Sequence, residues 1–457
     1  MNFETPDSIG VGVASVDFTP PVGLPLMGNF RDDYVAHGVH DPLQAKSIVF
    51  ADGHGTKAAL LAVDICMLDR RNVASMRQVI GAACDVPPQH VLIHATHTHS
   101  APAANGRIGL EAQVAPHTAA IEAFLRTAAL AVAEANRRLC PAALAVGYAH
   151  EDHVSFNRRL RRRDGTTQMN WEALQPDFDS SKISEPWGPI DPELVCLLVQ
   201  RGQTPHAALV NFGLHPAILA GDNWLYSADF PGYLAEAMSR EQGDDFPCLF
   251  LNGCCGNVNH VDYRDRSQGR GYRMAEQVGA VLAAAAGRAM ARAAPVAVDP
   301  VLVSRKDVQL DRLPISREEK RRCEEVLQRA RLHPPEGQVD GVPEAYFAEL
   351  RLKMWREQEH ADQAEVMVIR IGDVAVVGLP GEAFCELGLE IKRRSPAQHT
   401  LVAGLSNDAI GYLPTEASFE QGGYETTVGS TFYAPGSAER IVASAVGQLE
   451  HLFRAGG

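Results

Sequence analysis

Short apolar segments with the residue spacing of β-strands recur along nearly the whole chain, and segments with helical spacing lie between them. The strand-like segments are residues 9–18, 45–51, 58–63, 91–99, 194–200, 207–212, 248–251, 366–371 and 374–379. The helical segments are residues 72–84, 121–138, 231–241 and 270–294. Strands and helices mixed in this way predict an α/β (mixed α+β) fold, in which helices flank mixed β-sheets.

The chain of 457 residues is long enough for two or three domains, yet neither a repeat nor a long linker divides it. We therefore predict a single large domain over residues 1–457. Residues 316–362 differ in composition, because they are rich in Arg, Glu and Lys around a Pro-Pro pair. This pattern predicts an insertion of two solvated helices packed on the body of the domain. It favours helices that lie on the surface over helices that cover a pocket.

The charge balance excludes several classes of partner. Lys and Arg total 42 against 56 Asp and Glu, and the resulting net charge of −14 disfavours nucleic acid and anionic membrane surfaces. No segment reaches the ~18 apolar residues of a membrane helix, so we expect no stable membrane insertion. The first residues lack a secretory pattern and the nine cysteines are scattered, which predicts a cytoplasmic protein. Whether the chain forms a homo-oligomer stays open.

The sharpest local signal is the stretch THTHSAP at residues 96–102, which follows an apolar segment. In a strand, residues two apart face the same side, so His97 and His99 are expected to project together where Pro102 breaks the strand. Two imidazoles at a strand end suit a borderline metal such as zinc. A pair of hydrogen-bonded histidines has the same pattern, so the metal interpretation needs further ligands.

Candidate ligands and substrate contacts follow other apolar segments. His215 comes directly after residues 207–212, Glu382 follows the hairpin at 374–379, and Tyr412 lies in a glycine-punctuated loop. The turn GNVNH at 256–260 contributes Asn257 and Asn259, and its backbone N–H groups could hold an anion or oxyanion. Three further residues that precede or follow strands are lower-ranked candidates for substrate contact. They are His40, Asp41 and Asp64.

These residues carry a resemblance to the catalytic domain of the neutral/alkaline, non-lysosomal ceramidase family. THTHSAP at 96–102 is the most specific match. VSFNR at 154–158, FGLHP at 212–216, LPGE at 379–382, and GYLPT at 411–415 with the later YE and STFY stretches resemble further motifs of that family. The matches keep the family's order and reach from about residue 10 to residue 440.

The resemblance implies the fold of the neutral ceramidase catalytic domain and one zinc ion held by His97, His215, Glu382 and Tyr412. Another divalent transition metal would also suit such ligands. It places His99 and Arg158 in the pocket wall. Tyr412 as a ligand rests on the resemblance alone, whereas two histidines and a carboxylate that leave room for water are typical of catalytic zinc sites.

Two departures from the family bear on the substrate. The family's Gly-Asp-Val-Ser-Pro turn carries a serine linked to catalysis, and Asn259 occupies that place here. Asparagine has no ionisable hydroxyl and cannot act as an acyl-forming nucleophile. We also expect no C-terminal immunoglobulin-like domain after the catalytic signature. Both features, together with the acidic charge, favour a small polar substrate over a membrane lipid.

The sequence therefore predicts an amidohydrolase-like zinc enzyme that cleaves a linear amide, or an ester, in a small molecule with metal-activated water. His99 is the predicted proton shuttle, Arg158 the group that binds a substrate oxyanion or carboxylate, and Asn259 a polarising contact. Three alternatives stay open. They are a metal-dependent lyase or isomerase acting on a sugar-like or polyol-like compound, a true ceramidase, and a binding protein without activity.

Overall fold

The computed structural model describes residues 8–31, 33–104, 114–243, 246–332, 338–339, 342–358 and 362–454. The helices in these residues are α1 Arg70–Ala83, α2 Thr118–Arg137, α3 Phe230–Gln242, α4 Tyr272–Met290, α5 Arg317–Leu332, α6 Glu344–Glu357, α7 Cys385–Arg394, α8 Ser418–Gln421 and α9 Ser437–Arg454. The strands of the two large sheets are β1 Ile9–Asp17, β2 Gln44–Ala51, β3 Lys57–Val63, β4 Val91–Ala95, β5 Cys140–His150, β6 Glu193–Arg201, β7 Thr204–Phe212, β8 Cys248–Asn252, β9 Val301–Leu310, β10 Asp362–Ile371, β11 Val374–Gly378 and β12 His399–Ala403.

The larger sheet has the strand order β8-β7-β6-β5-β1-β2-β3-β4. Its two terminal pairs, β7 with β8 and β3 with β4, are parallel, and the pairs between them are antiparallel. Helix α2 lies against β1 at Gly12, where a Cβ atom would stand only 1.9 Å from the carbonyl oxygen of Ala135. Gly147 on β5 permits the same close approach to α4 at Ala289. The predicted mixture of helices and mixed sheets is confirmed.

The smaller sheet, β9-β10-β11-β12, packs its apolar face on the larger sheet. Leu60 and Leu92 from one sheet meet Val376 and Leu401 from the other in a core that excludes water completely. Burying each such side chain contributes roughly 1.5–3 kcal/mol, so the interface between the sheets is a major source of stability. The alternating pattern seen in the sequence supplies these inward-facing residues.

The loops that follow β4, β8, β11 and β12 are joined by backbone hydrogen bonds. Gly253 N donates to Phe212 O, Gly404 N to Asn252 O, and Leu405 N to Gly381 O, at 2.9–3.1 Å. Because these loops follow neighbouring strand ends, they bring the predicted site residues from distant parts of the chain to one edge of the sheets.

The charged segment predicted as two helices contains α5 and α6. Phe347 on α6 is buried and its ring meets that of Tyr424, while Tyr346 extends towards the strand-end loops. One face of α6 is therefore part of the core rather than solvated. Among the described residues, no helix is long and apolar enough to cross a membrane.

His94 connects β4 to the neighbouring strand ends and carries a pH-dependent part of the stability. Its Nδ1–H donates to Gly404 O at 2.8 Å, and its Nε2 accepts from Asn252 N at 2.9 Å. Burial lowers the pKa of His94 from 6.5 to about 3, against the opposing effect of the Gly404 hydrogen bond. The folded pKa lies below the unfolded value, so this stability is complete above pH 6.5 and is lost as pH falls towards 3.

We expect the free energy of unfolding to drop by about 2 kcal/mol between pH 7 and pH 5 because of His94. The variant His94→Gln supplies an acceptor for Asn252 and a donor for Gly404 but cannot take up a proton. Urea unfolding at both pH values should therefore give a steeper loss for the wild type than for His94→Gln. Equal pH dependence in the two proteins would contradict the assignment.

Candidate metal centre

Three buried imidazoles meet at one point. The Nε2 atoms of His97, His99 and His215 lie 3.1–3.3 Å from one another. The predicted strand over residues 91–99 is wrong at its end, because β4 stops at Ala95 and His97 has a left-handed φ of 77°. His97 and His99 therefore meet through a strained turn and not through strand alternation.

The hydrogen bonds on the other side of each ring define the tautomers. Nδ1 of His97 faces Cys66 O at 2.6 Å, Nδ1 of His215 faces Cys255 O at 3.3 Å, and Nδ1 of His99 faces the side-chain oxygen of Asn29 at 3.4 Å. These oxygens only accept and favour the proton on Nδ1 of each ring, whereas Nδ1 of His215 also lies 3.4 Å from the donor Arg158 Nη1. All three Nε2 lone pairs then point at the same small space, as they do in histidines that bind a metal.

Glu382 completes the cluster from the loop after β11. Its Oε2 lies 3.4 Å from His97 Nε2 and 3.9 Å from His215 Nε2. This buried oxygen has no hydrogen-bond partner among the described residues. Imidazole nitrogens and an unpartnered carboxylate oxygen around one small space form a donor set suited to a cation. Zinc bonds of ~2.0–2.1 Å in a tetrahedron separate ligand nitrogens by about 3.3 Å, so these residues fit a zinc ion.

The pKa values agree with a site that holds positive charge. Burial lowers the pKa of His97, but Cys66 and Glu382 outweigh burial and raise it to about 10. Burial lowers the pKa of His99 and His215 well below 6.5, so both are neutral at pH 7. The pKa of Glu382 is lowered despite burial, because His97 stabilises the carboxylate.

Tyr412 and Arg158 stand beside Glu382. The strand pair Glu382–Ala383 and Tyr412–Leu413 is parallel and sets the tyrosine next to the carboxylate, where the Tyr412 hydroxyl helps to lower the pKa of Glu382. Burial raises the pKa of Tyr412 well above 10. The Arg158 guanidinium lies 5.3 Å from the centre of the Tyr412 ring, and its Nη1 is 3.4 Å from Nδ1 of His215. The predicted metal ligands and Arg158 are thus brought together.

Sequence reasoning missed Glu425 as the partner of Arg158. Glu425 is completely buried and accepts from Arg158 Nε at 2.6 Å and from Arg159 Nη1 at 2.7 Å. The Nη2 atom of Arg158 is buried and has no hydrogen-bond partner among the residues described. The signal was present in the YE stretch at 424–425, but charge partners 267 residues apart cannot be paired from one sequence.

Asn257 and Asn259 serve the framework and are not brought to the histidines. Asn259 exchanges hydrogen bonds with the Asn170 amide at 2.8 Å and accepts from Val261 N. Asn257 accepts from Cys385 N and donates to Glu386. These hydrogen bonds use both side-chain amides and hold the turn to neighbouring segments. Among the described residues, the structure therefore gives no support to the predicted substrate contacts of Asn257 and Asn259.

His40, Asp41 and Asp64 line a separate cavity behind the histidine loop. Asp64 is connected to that loop only through Thr96, whose hydroxyl donates to it at 3.1 Å. Strand ends on one face of a sheet look alike in sequence, which is why these three residues were grouped with the metal site. They do not line the pocket at the histidines.

Two cysteines also flank the cluster. Cys66 Sγ is 3.7 Å from Nδ1 of His97, and Cys255 Sγ lies among the possible ligand atoms around His97 and His215. Burial raises the pKa of the Cys255 thiol, so it stays protonated.

The pocket that opens onto His97, His99, Glu382 and Tyr412 has a volume of about 110 Å³. Its outer wall is aromatic. Phe30 and Tyr346 meet edge to face with ring centres 4.8 Å apart, and Tyr424 and Phe432 lie further along the wall. The inserted helix α6 therefore forms part of the pocket through Tyr346, contrary to the surface role favoured from its composition.

Comparisons with known proteins point to one family. The family model described as neutral/alkaline non-lysosomal ceramidase, N-terminal, matches residues 9–260, more than half of the chain. Neutral ceramidase B of Dictyostelium discoideum is 24% identical over 241 residues, which cover 51% of this chain and 32% of that protein. Neutral ceramidase 2 of Arabidopsis thaliana is 27% identical over 95 residues, 20% of this chain and 12% of that protein. The matched regions thus span about a third or less of these relatives.

The fold is shared with a solved structure. The neutral ceramidase from Pseudomonas aeruginosa superposes with a TM-score of 0.70 at 19% identity, covering 97% of this chain and 75% of that one. Fold and site together define an α/β protein with a candidate metal centre at its strand ends. The chain belongs to the neutral/alkaline non-lysosomal ceramidase family, a family of amide hydrolases.

Proposed function

We propose that this chain is a zinc-dependent amidase that cleaves a linear amide bond in a small substrate. The observation that carries the proposal is the triangle of three Nε2 atoms closed by the unpartnered Oε2 of Glu382. Family membership supports amide hydrolysis over the lyase or isomerase alternative. The small substrate and the zinc ion are proposed for this chain on its own geometry, since the relatives' names refer to ceramidases.

His97, His215 and Glu382 would hold the ion, with the Tyr412 oxygen as a further ligand. Zinc in such a site lowers the pKa of water towards ~7 and polarises a carbonyl oxygen. The chain's own contribution is orientation: the carbonyl oxygens of Cys66 and Cys255 keep the ligand rings in the Nδ1–H tautomer.

His99 and Arg158 would handle the proton and the developing charge. His99 is neutral at pH 7, and its Nε2 lies 3.2–3.3 Å from both other histidines, so it can accept a proton at Nε2 and pass it to the leaving nitrogen. The unpartnered Nη2 of Arg158 can donate to a substrate oxygen, since Glu425 fixes the guanidinium from behind.

The dimensions of the pocket favour a small acyl group. A volume of about 110 Å³ is below the roughly 300–1,000 Å³ of sites for drug-sized ligands. The edge-to-face pair of Phe30 and Tyr346 lines this pocket and narrows the space for a longer acyl chain. Ceramide, named in the relatives, is the competing substrate, because Phe30 and Phe432 also offer an apolar wall.

The proposal is tested with a series of N-acyl amines from acetyl to hexadecanoyl, including a short-chain fluorescent ceramide. Zinc-loaded protein should hydrolyse the short members, chelator-stripped protein should not, and the released acid should contain one oxygen from ¹⁸O-labelled water. Turnover without label incorporation would contradict hydrolysis. Preference for the hexadecanoyl substrate would contradict a small substrate.

Tyr346 is predicted to limit the acyl chain. Tyr346→Ala removes an aromatic ring from the pocket wall. The ratio of kcat/KM for the decanoyl substrate to kcat/KM for the acetyl substrate should therefore rise by about tenfold or more, as expected when a few methylenes gain a hydrophobic pocket. The exposed residue Glu349 on the same helix gives the control variant Glu349→Ala, whose chain-length profile should match the wild type. An unchanged chain-length profile in Tyr346→Ala would show that Tyr346 does not select the substrate.

A further inference from the structure

A second cavity, of about 700 Å³, lies between the end of the larger sheet and helix α3. It shares no lining residue with the pocket at the histidines. Its volume is within the range of ordinary small-molecule sites, roughly 300–1,000 Å³. The larger of these two cavities is therefore not the one at the metal centre, and it has no role in the reaction proposed above.

The floor of this cavity is polar where the strand pattern calls for core residues. Val13 on β1 and Ile48 on β2 face the core between the sheets. Two residues further along the same face, Ser15 and Lys46 lie directly opposite each other in register and line the cavity. Asp64 follows β3 beside them. Ser15 is exposed and donates to Gln44 Oε1 at 2.9 Å, and Lys46 is half-buried, so this face of the strands leaves the core and opens into a polar cavity.

Lys46 and Asp64 have no oppositely charged side chain within 4 Å among the residues described. Asp64 is 3% exposed and is held only by neutral donors, Gln44 N at 2.9 Å and the Thr96 hydroxyl at 3.1 Å. Asp41, on the opposite wall, accepts from Ala228 N at 2.8 Å through one oxygen, and its other oxygen faces Nδ1 of His40 at 2.8 Å. The cavity thus presents an unpaired ammonium group together with two carboxylates fixed by hydrogen bonds.

The remaining charges of the lining are already paired. Arg138 binds Glu134 at 2.7 Å, and Glu236 binds Arg240 one turn along α3. An anion alone would face the two aspartates, a cation alone would face Lys46, and a neutral polyol would leave the charges uncompensated. A ligand that carries one charge of each sign satisfies them all.

We propose that this cavity binds a small zwitterion with a primary ammonium and a carboxylate, such as a free amino acid or a short unblocked peptide. The carboxylate pairs with Lys46, and the ammonium lies between Asp41 and Asp64. Tyr233 and Phe246 supply the apolar wall for the rest of the molecule.

Isothermal titration calorimetry with the full chain tests the site. The probes are the twenty protein amino acids, diglycine and triglycine, each up to about 10 mM, which detects binding as weak as Kd in the millimolar range. At least one probe should bind. Its N-acetylated and its C-amidated forms should each bind at least about tenfold more weakly, because each lacks one charge. Absence of binding by every probe, or equal binding of the blocked forms, would overturn the proposal.

Lys46→Met should weaken the same probe at least about tenfold, because it removes the cation and keeps the apolar stem. Asp64 is unsuitable for this test, since it also supports Thr96 beside His97. Lys306→Met, an exposed strand lysine outside the cavity, is the matched control and should bind like the wild type. His97→Ala should also bind the probe normally, so that the result is independent of the metal centre. Unaltered affinity in Lys46→Met would contradict the assigned site.

Discussion

His97→Ala and Glu382→Ala should each lose the bound zinc and at least about 10³-fold of amide hydrolysis, equivalent to about 4 kcal/mol of transition-state stabilisation. His97 has the central position, because its Nε2 is within 3.4 Å of the other two imidazoles and of the Glu382 carboxylate. Removing it leaves His215, Glu382 and Tyr412 as an incomplete ligand set. Removing Glu382 leaves no carboxylate to balance the ion.

Zinc per chain is measured by plasma mass spectrometry after dialysis, and kcat/KM with the N-acetyl amine. His54→Ala, which removes an exposed histidine, is the matched control and should keep both metal and activity. His99→Ala should keep the zinc and lose about 10²- to 10⁴-fold in rate, the usual contribution of a general acid or base. Loss of zinc in His99→Ala would make this histidine a ligand. Full activity in His97→Ala would refute the site.

Much of the fold was predictable because apolar periodicity is local. The strands predicted at 45–51 and 58–63 and the helix at 72–84 are observed at Gln44–Ala51, Lys57–Val63 and Arg70–Ala83. The candidate ligands were found for a related reason. A polar residue directly after an apolar strand stands at a sheet edge, and motifs shared with a known family selected residues that the structure brings together.

The remaining features depend on which distant segments pack together. Asp64 and His97 both follow strand ends, but only packing places Asp64 against α3 and His97 against His215. Composition showed that residues 316–362 are charged, yet the single ring of Tyr346 gives α6 its place in the pocket. The left-handed φ of His97 also has no local signal, since only a few per cent of non-glycine residues adopt that conformation.

Glu425→Gln should destabilise the fold by about 3–5 kcal/mol, because it leaves the guanidinium groups of Arg158 and Arg159 buried without a counter-ion. Both arginines are at most 4% exposed, so water cannot replace the lost carboxylate. Glutamine keeps the shape of the side chain and one acceptor oxygen, so the loss of stability measures the effect of removing the negative charge rather than side-chain volume. Urea unfolding gives the free energy, with Glu420→Gln on the exposed side of α8 as the matched control.

The same variant should also affect the reaction through Arg158. Among the described residues, Glu425 makes no hydrogen bond to the histidines. It acts by accepting a hydrogen bond from Arg158 Nε at 2.6 Å, which fixes the guanidinium group. Without that bond the free Nη2 is no longer aimed by a fixed partner, so kcat should fall by about 10- to 100-fold while zinc content is unchanged. Arg159→Met combined with Glu425→Gln removes one of the two unpaired charges, so it should recover stability but not kcat. Equal recovery of both would mean that Glu425 supports the fold alone and does not position Arg158.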